Sequence, residues 1–176
     1  MEQIKILVAY DSITGNVEMM ANAVAEGARE AGALVAVKHV DDVDPRELSY
    51  YDGFAFGSPT HYGMMSEKMY SFFKYKLGEY WGKLKYKVAV AFSSSGGLGG
   101  GNEMALLSLI SVILNFGMMT FGIPDYVAPG VTLHYGAVAV GKPDDRALKA
   151  CRLLGRKIVE HVKVIKAGLA SLNDQT

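Results

Sequence analysis

Apolar residues arrive along this chain in short β-branched and aliphatic blocks. Most blocks are followed by a stretch whose apolar positions recur every three or four residues. The first block, residues 4–9 (Ile-Lys-Ile-Leu-Val-Ala), predicts a buried strand. Val17, Met20, Ala21, Val24 and Ala28 then recur at helical spacing, with Glu18, Glu26, Arg29 and Glu30 on the other face. Gly32 ends that helix, and residues 34–40 predict a second strand. An acidic turn follows at 41–45, then a single helical turn at 45–48. Residues 54–58 predict a third strand, and Ser66 is an N-cap for a helix over 68–74. Residues 87–92 predict a fourth strand, 93–101 a glycine-rich loop, and 102–116 an almost wholly apolar helix. Residues 118–121 predict the start of a fifth strand, 124–135 a loop with a turn at Pro129 and Gly130, and 136–141 a short strand. Asp144 caps a last helix carrying Ala147, Leu148, Cys151, Leu154, Ile158 and Val162 on its apolar face.

This alternation predicts an α/β three-layer sandwich: a five-stranded parallel sheet with helices on both faces, joined by right-handed crossovers. The strand blocks are continuously apolar, as suits a sheet covered on both sides. One domain is expected over residues 1–170, with a frayed tail at 171–176. Ligands of such sheets bind beyond the carboxyl ends of the strands. Three loops leave those ends, at 11–17, 58–65 and 93–101.

Composition narrows the function classes. The 176 residues carry 18 basic and 18 acidic side chains, and a balanced chain lacks the basic excess of a nucleic-acid binder. Cys151 is the one cysteine, so no intramolecular disulfide forms, and a reducing, cytoplasmic location is expected. Its placement on an apolar helix face reads as a small buried residue rather than a reactive thiol. The N-terminus reads as a strand rather than a leader. The most apolar segment, 104–119, contains Ser108, Ser111 and Asn115 and is too short and polar to span a bilayer, so no membrane partner is expected. No metal site is assigned.

The first loop supplies Ser12, Ile13, Thr14, Gly15, Asn16 and Val17. Its backbone N–H groups and the start of the following helix converge on one point, where two hydroxyls add donors and Gly15 permits close approach. A phosphate fits that point. No Walker or G-x-G-x-x-G pattern is present, and no Lys or Arg stands between Lys5 and Arg29, so the donors are neutral. The plainer alternative is a strand-to-helix turn capped by Ser or Asn. The second loop, with Pro59, Thr60, His61 and Tyr62 between Gly57 and Gly63, reads as a wall for a planar ring or as a solvated turn. The third, with Ser94, Ser95, Gly96, Gly97, Leu98 and Gly99, places five glycines in the six positions 96–101. Ordering them is entropically costly, which favours a backbone that approaches a ligand over a slack linker.

Ser12–x–Thr14–Gly15–x–Val17 resembles the FMN-phosphate loop of flavodoxin-like proteins. With residues 18–21, 23–28, 57–66, 92–96, 99–101, 107–110, 117–118 and 135–137, the chain resembles the WrbA family of FMN-dependent NAD(P)H:quinone oxidoreductases over most of its length. The resemblance implies a flavodoxin-like fold, FMN phosphate on 12–17, and Pro59, Thr60, His61 and Tyr62 along the isoalloxazine. It also implies ring and ribityl contacts from Ser94, Ser95, Gly96, Gly97, Leu98 and Gly99. Trp81 matches a family tryptophan that borders the ring where nicotinamide and quinone bind; its other reading is an ordinary core or interface residue. The chain departs from the family pattern at Thr14 (usually aromatic), His61 (usually arginine) and Phe116 (usually histidine). Its glycine loop is one residue longer, and its 41–52 segment is shorter than usual.

The implied activity is two-electron transfer from NADH or NADPH to a quinone through FMN by a ping-pong cycle. His61, Tyr62 and Trp81 are the candidate catalytic residues, with His61 and Tyr62 placed to polarise a quinone oxygen. A flavodoxin-type electron carrier is the alternative, although carriers are usually strongly acidic and this chain is not. A flavin or iron reductase serving an iron–sulfur partner is a third reading. The apolar 102–116 helix has no charge between Glu103 and Asp125 and predicts a homo-oligomer, a dimer or tetramer, unless the 124–135 loop folds over it.

Overall fold

The fold was analysed in a computed structural model that describes residues 3–173. The chain runs β1 (Lys5–Tyr10), α1 (Asn16–Glu30), β2 (Leu34–His39), β3 (Gly53–Pro59), α2 (Glu67–Ser71), β4 (Val88–Ser95) and α3 (Asn102–Asn115). It continues through β5 (Ile123–Ala128), β6 (Val131–Leu133), β7 (Ala137–Val140) and α4 (Asp145–Asn173). Five strands form one sheet in the order β2-β1-β3-β4-β7, and every neighbouring pair is parallel. Helices α1 and α4 cover one face, and α2 and α3 the other. This is the three-layer sandwich that the alternating pattern predicts, and the flavodoxin-like fold that the resemblance implies.

Alternate residues of each strand feed opposite cores. Ile6 and Val8 face α1 and α4, whereas Leu7 and Ala9 face the other layer with Phe54, Phe56, Phe72, Phe73 and Phe116. Ser66 caps α2 through its hydroxyl, which accepts from the Met69 amide at 3.1 Å. The chain then tightens and widens through irregular helical turns to Tyr80, burying Phe72, Phe73 and Leu77. Asp144 caps α4, its carboxylate accepting from the Ala147 amide at 2.9 Å. Helix α4 runs on through Asn173, so residues 171–173 of the expected tail are helical; 174–176 lie outside the described residues.

The fifth strand differs from expectation. Of residues 118–121 only Met119 pairs with the sheet, exchanging 2.8 Å hydrogen bonds with Lys87 and Ala89 at the start of β4. The remainder is β7, beside residues 92–95 at the other end of β4. The intervening residues, expected as a loop, form the antiparallel hairpin β5–β6, turning at Pro129 and Gly130 as predicted. Ile123 and Leu133 anchor this hairpin in the core beneath α4, so it lies on the face opposite α3.

Layer spacing on the α1/α4 face depends on two glycines. A Cβ built on Gly27 would lie 1.9 Å from the Arg152 carbonyl oxygen, and one on Gly155 would lie 1.9 Å from the Val24 carbonyl oxygen. The helices therefore touch backbone to backbone. Cys151, on the same stretch of α4, is fully buried, and burial pushes its thiol up to about 12, which makes it inert at neutral pH.

In an open helix, Gly→Ala stabilises by about 1 kcal/mol. Gly155→Ala is expected to reverse that sign and destabilise by about 1–3 kcal/mol through forced separation of the helices. Gly168→Ala, on the same helix with nothing within 4 Å of its Cβ, is expected to stabilise. Urea denaturation of the two variants checks the contrast.

Candidate functional site

Because all five strands run the same way, the loops leaving β1, β3 and β4 emerge at one edge. The first loop is held there by the Asp11 amide, which donates to the Gly57 carbonyl at 2.9 Å. Gly15 precedes α1 with φ +81°, a left-handed conformation that favours glycine, and nothing lies within 4 Å of a Cβ built there. The first helical hydrogen bond runs from Met19 back to Gly15, which leaves the amides of Asn16 and Val17 without an intrahelical partner. The Glu18 amide is taken by the Ser12 hydroxyl at 3.3 Å. Ile13 and Thr14 are exposed, Ser12, Gly15 and Asn16 half-buried, and the Val17 side chain sits in the core, so Val17 offers only its backbone. Free amides, open space before Gly15 and nearby hydroxyls make a neutral donor set that fits a phosphate.

The second loop is a tight hairpin. His61 and Met64 exchange both backbone hydrogen bonds at 2.9 Å, with Tyr62 at φ +51° and Gly63 at φ +76° between them. Positive φ at both central positions is the type I′ turn. Tyrosine is a costly occupant of that position, and its ring gains no burial in return, being fully exposed. The loop is fastened to β4 by hydroxyls. The Ser93 hydroxyl donates to the Ser58 carbonyl at 2.8 Å, so the Thr60 hydroxyl, 2.9 Å from Ser93 Oγ, is the donor of that pair. The Thr60 amide donates to the Ser94 carbonyl at 2.8 Å. Thr60 thus faces the scaffold through both groups, while His61 and Pro59 are half-buried at the edge.

The glycine loop leaves β4 with Ser94 and Ser95 buried, the Ser95 hydroxyl donating to the Gly97 carbonyl at 2.9 Å. Gly96, Gly97 and Gly99 face open space, and Leu98 is almost fully exposed. A Cβ on Gly101 would approach Gly63 Cα at 3.1 Å, so the second and third loops touch. The structure therefore brings together Ser12, Ile13, Thr14, Gly15, Asn16 and Val17 with the 59–62 and 94–99 groups along one edge.

Trp81 stands apart from them within the chain. It packs on Phe116, ring centroids 5.2 Å apart, just past the C-terminal end of α3, whereas the glycine loop precedes that helix. The 14 residues of α3 span roughly 21 Å. Trp81 is nonetheless 62% exposed.

Two polar residues at this edge escaped the pattern reading. Asp11 is buried, and His39, at the end of β2, lies 3.3 Å from its carboxylate. The Asp41 amide donates to His39 Nδ1, so Nε2 carries the proton toward Asp11. Asp41 in turn pairs with Lys68 at 2.9 Å, and the Lys68 ammonium holds the Asp41 carboxyl below its ordinary range. A groove of about 690 Å³ joins Asp11, His39 and Lys68 to Ser12 and His61. The signal available in sequence was position alone: a histidine ending the strand beside β1. Among the described residues no cluster of His, Cys, Asp or Glu is arranged to hold a metal ion, and no helix is long and apolar enough to cross a membrane.

The sequence profile of the flavodoxin family matches residues 8–108. A flavodoxin of Aquifex aeolicus is 48% identical over 170 residues, covering 96% of this chain and 92% of that protein. An NAD(P)H dehydrogenase (quinone) of Archaeoglobus fulgidus is 35% identical over 188 residues, covering 89% and 96%. Among solved structures, a flavodoxin from the domain Archaea superposes with a TM-score of 0.75 at 28% identity, covering 91% of this chain and 99% of that one.

Strain at Tyr62 has a measurable consequence. Tyr62→Asn places Asn-Gly at the two positive-φ positions, the preferred pair for this turn. It is expected to stabilise the fold by about 0.5–1 kcal/mol, read from the denaturation midpoint, since left-handed geometry costs a non-glycine residue roughly 1–2 kcal/mol.

Proposed function

The chain belongs to the flavodoxin family and binds FMN, and from that premise we propose that it is an NAD(P)H:quinone oxidoreductase of the WrbA type. The observation that carries this reading is the open space at Gly96, Gly97 and Gly99 opposite the projecting Tyr62 hairpin. An approachable ring face suits a protein whose flavin meets two substrates in turn. Relatives named NAD(P)H dehydrogenase (quinone), at 35–36% identity over about nine-tenths of the chain, support it.

In this reading the Asn16 and Val17 amides and the Ser12 and Thr14 hydroxyls hold the FMN phosphate. Pro59, Thr60, His61 and Tyr62 border one side of the ring, and Ser94, Ser95, Gly96, Gly97, Leu98 and Gly99 the other. When bound, FMN supplies hydride acceptance from NADH or NADPH and return of two electrons to a quinone, in a ping-pong cycle. His61 and Tyr62 serve as donors to the quinone oxygen. The ordered hydroxyls of Ser93 and Thr60 keep the two walls at constant spacing.

Trp81 and the outer face of α3 call for a second copy. Met104, Leu107 and Leu114 are exposed along that face, and the β5–β6 hairpin covers the other side of the sheet. Two α3 helices packed antiparallel about a two-fold axis bury those residues. They also carry each Trp81, at the C-terminal end of one helix, to the glycine loop at the N-terminal end of the other. Pairs of such dimers make a tetramer.

A carrier reading is favoured by the 48%-identical relative named flavodoxin. It is disfavoured by the balance of 18 basic and 18 acidic residues, since a carrier docks through net charge.

Mixing the FMN-loaded protein with NADH without oxygen separates the two. Bleaching within seconds, followed by reoxidation on adding a benzoquinone, is the expected result; flavin that stays oxidised for hours supports the carrier. Sedimentation at micromolar concentration is expected to give a dimer or tetramer, and a sole species near the 19.0 kDa of the chain rules out the α3 contact. Trp81→Ala is expected to retain FMN and slow bleaching by NADH.

A further inference from the structure

A second cleft of about 450 Å³ opens on the far side of the glycine loop. Its size lies within the usual range for small-molecule sites, about 300–1,000 Å³. Leu98, Gly99 and Gly100 form one wall, which it therefore shares with the FMN site. Gly130 and Val131, at the turn of the inserted hairpin, form the opposite wall. The end of β7 makes the floor and is tied to the FMN edge, because the Gly141 amide donates to the Ser95 carbonyl at 2.8 Å.

The polar groups of this cleft are few and distinct. Asn102 is 93% buried, since only 7% of it is exposed. Its Nδ2 donates to the Ala139 carbonyl at 3.1 Å, which fixes the amide orientation. Its Oδ1 accepts no hydrogen bond among the described residues, and the side chain lines the cleft. Lys142 is exposed at the rim and forms no ion pair among the described residues. Arg146 is held by Asp144, at 2.8 Å between the charged atoms, and Glu103 lines the α3 side.

Since no buried side-chain oxygen lacks a partner among the described residues, Asn102 Oδ1 is the part of this largely buried side chain that opens to the cleft, where it accepts from an N–H donor. An unpaired lysine wants an anion, and a carboxylate accepts from hydroxyls but repels phosphate. Apolar floor, N–H donor, hydroxyls and anion describe an adenine nucleotide. Resting on the oxidoreductase reading above, we propose that this cleft receives the adenosine diphosphate half of the nicotinamide dinucleotide. Asn102 Oδ1 takes the adenine amino group, Lys142 faces the diphosphate, and Glu103 takes a ribose hydroxyl. Glu103 also disfavours a 2′-phosphate, so NADH is preferred to NADPH. The shared glycine wall lets the nicotinamide reach the flavin from the same bound molecule.

ADP-ribose, titrated by calorimetry into the FMN-loaded protein, is the direct probe. Binding that competes with NADH in the bleaching assay and weakens about tenfold in Lys142→Glu is expected, one charge-assisted contact being worth roughly that factor. The same substitution is expected to raise the KM for NADH about tenfold, with kcat little changed. Its effect on N-benzyl-1,4-dihydronicotinamide, a hydride donor without the adenosine half, should be under twofold. NADPH should show a KM at least about tenfold above NADH, and Glu103→Gln should narrow that gap. Absent ADP-ribose binding, non-competitive binding, equal effects of Lys142→Glu on both donors, or a preference for NADPH would overturn the assignment. If neither donor bleaches the flavin, the oxidoreductase reading itself fails, which is a separate outcome.

Discussion

The parallel run of β1, β3 and β4 is the constraint on which the rest of this molecule depends. Parallel strands return through helices, so every loop leaving a strand end emerges at the same edge. The three chemistry-bearing loops, far apart in sequence, meet there without any dedicated contact to recruit them. Their mutual spacing is then set by ladder hydrogen bonds and by the Ser58, Thr60 and Ser93 groups that fasten the second loop to β4.

That arrangement needs both faces of the sheet covered, and the two layers solve this differently. On one face, α1 and α4 meet through Gly27 and Gly155, at a distance no side chain would allow. On the other, a cluster of phenylalanines carries the packing, and α2 is short and gives way to irregular turns. The first face carries the helix that follows the 12–17 loop, and the other carries Trp81 and the exposed side of α3.

The edge also explains why so few charges are needed. A phosphate held there, as proposed, meets oriented amides and a helix start rather than lysines, and the buried Asp11 nearby is satisfied by His39. The inserted hairpin adds a wall to the neighbouring cleft without disturbing the sheet, because it lies between the two places where the fifth strand pairs with β4, Met119 and β7.

Much of this was legible in the chain itself. Continuous apolar blocks alternating with helical periodicity specify a parallel sheet, since period and burial are local properties of sequence. The 12–17 connection between β1 and α1 was legible because hydroxyls and a glycine separate an apolar block from a helical one. Ser66 and Asp144 announced their caps for the same local reason. What needed the tertiary structure was every relation between distant residues. The 124–135 segment looked like a loop because Pro129 and Gly130 dominate it, and only packing of Ile123 and Leu133 under α4 makes it a hairpin. Gly27 and Gly155 gave no signal, because a close helix crossing depends on two chains of atoms 128 positions apart. Trp81 sat near the loops by analogy but lies a helix length away in space. Asn102 and Lys142 drew no notice as ordinary polar residues, since a fixed amide oxygen and a cation share one cleft only once the fold has brought α3 and the end of β7 together.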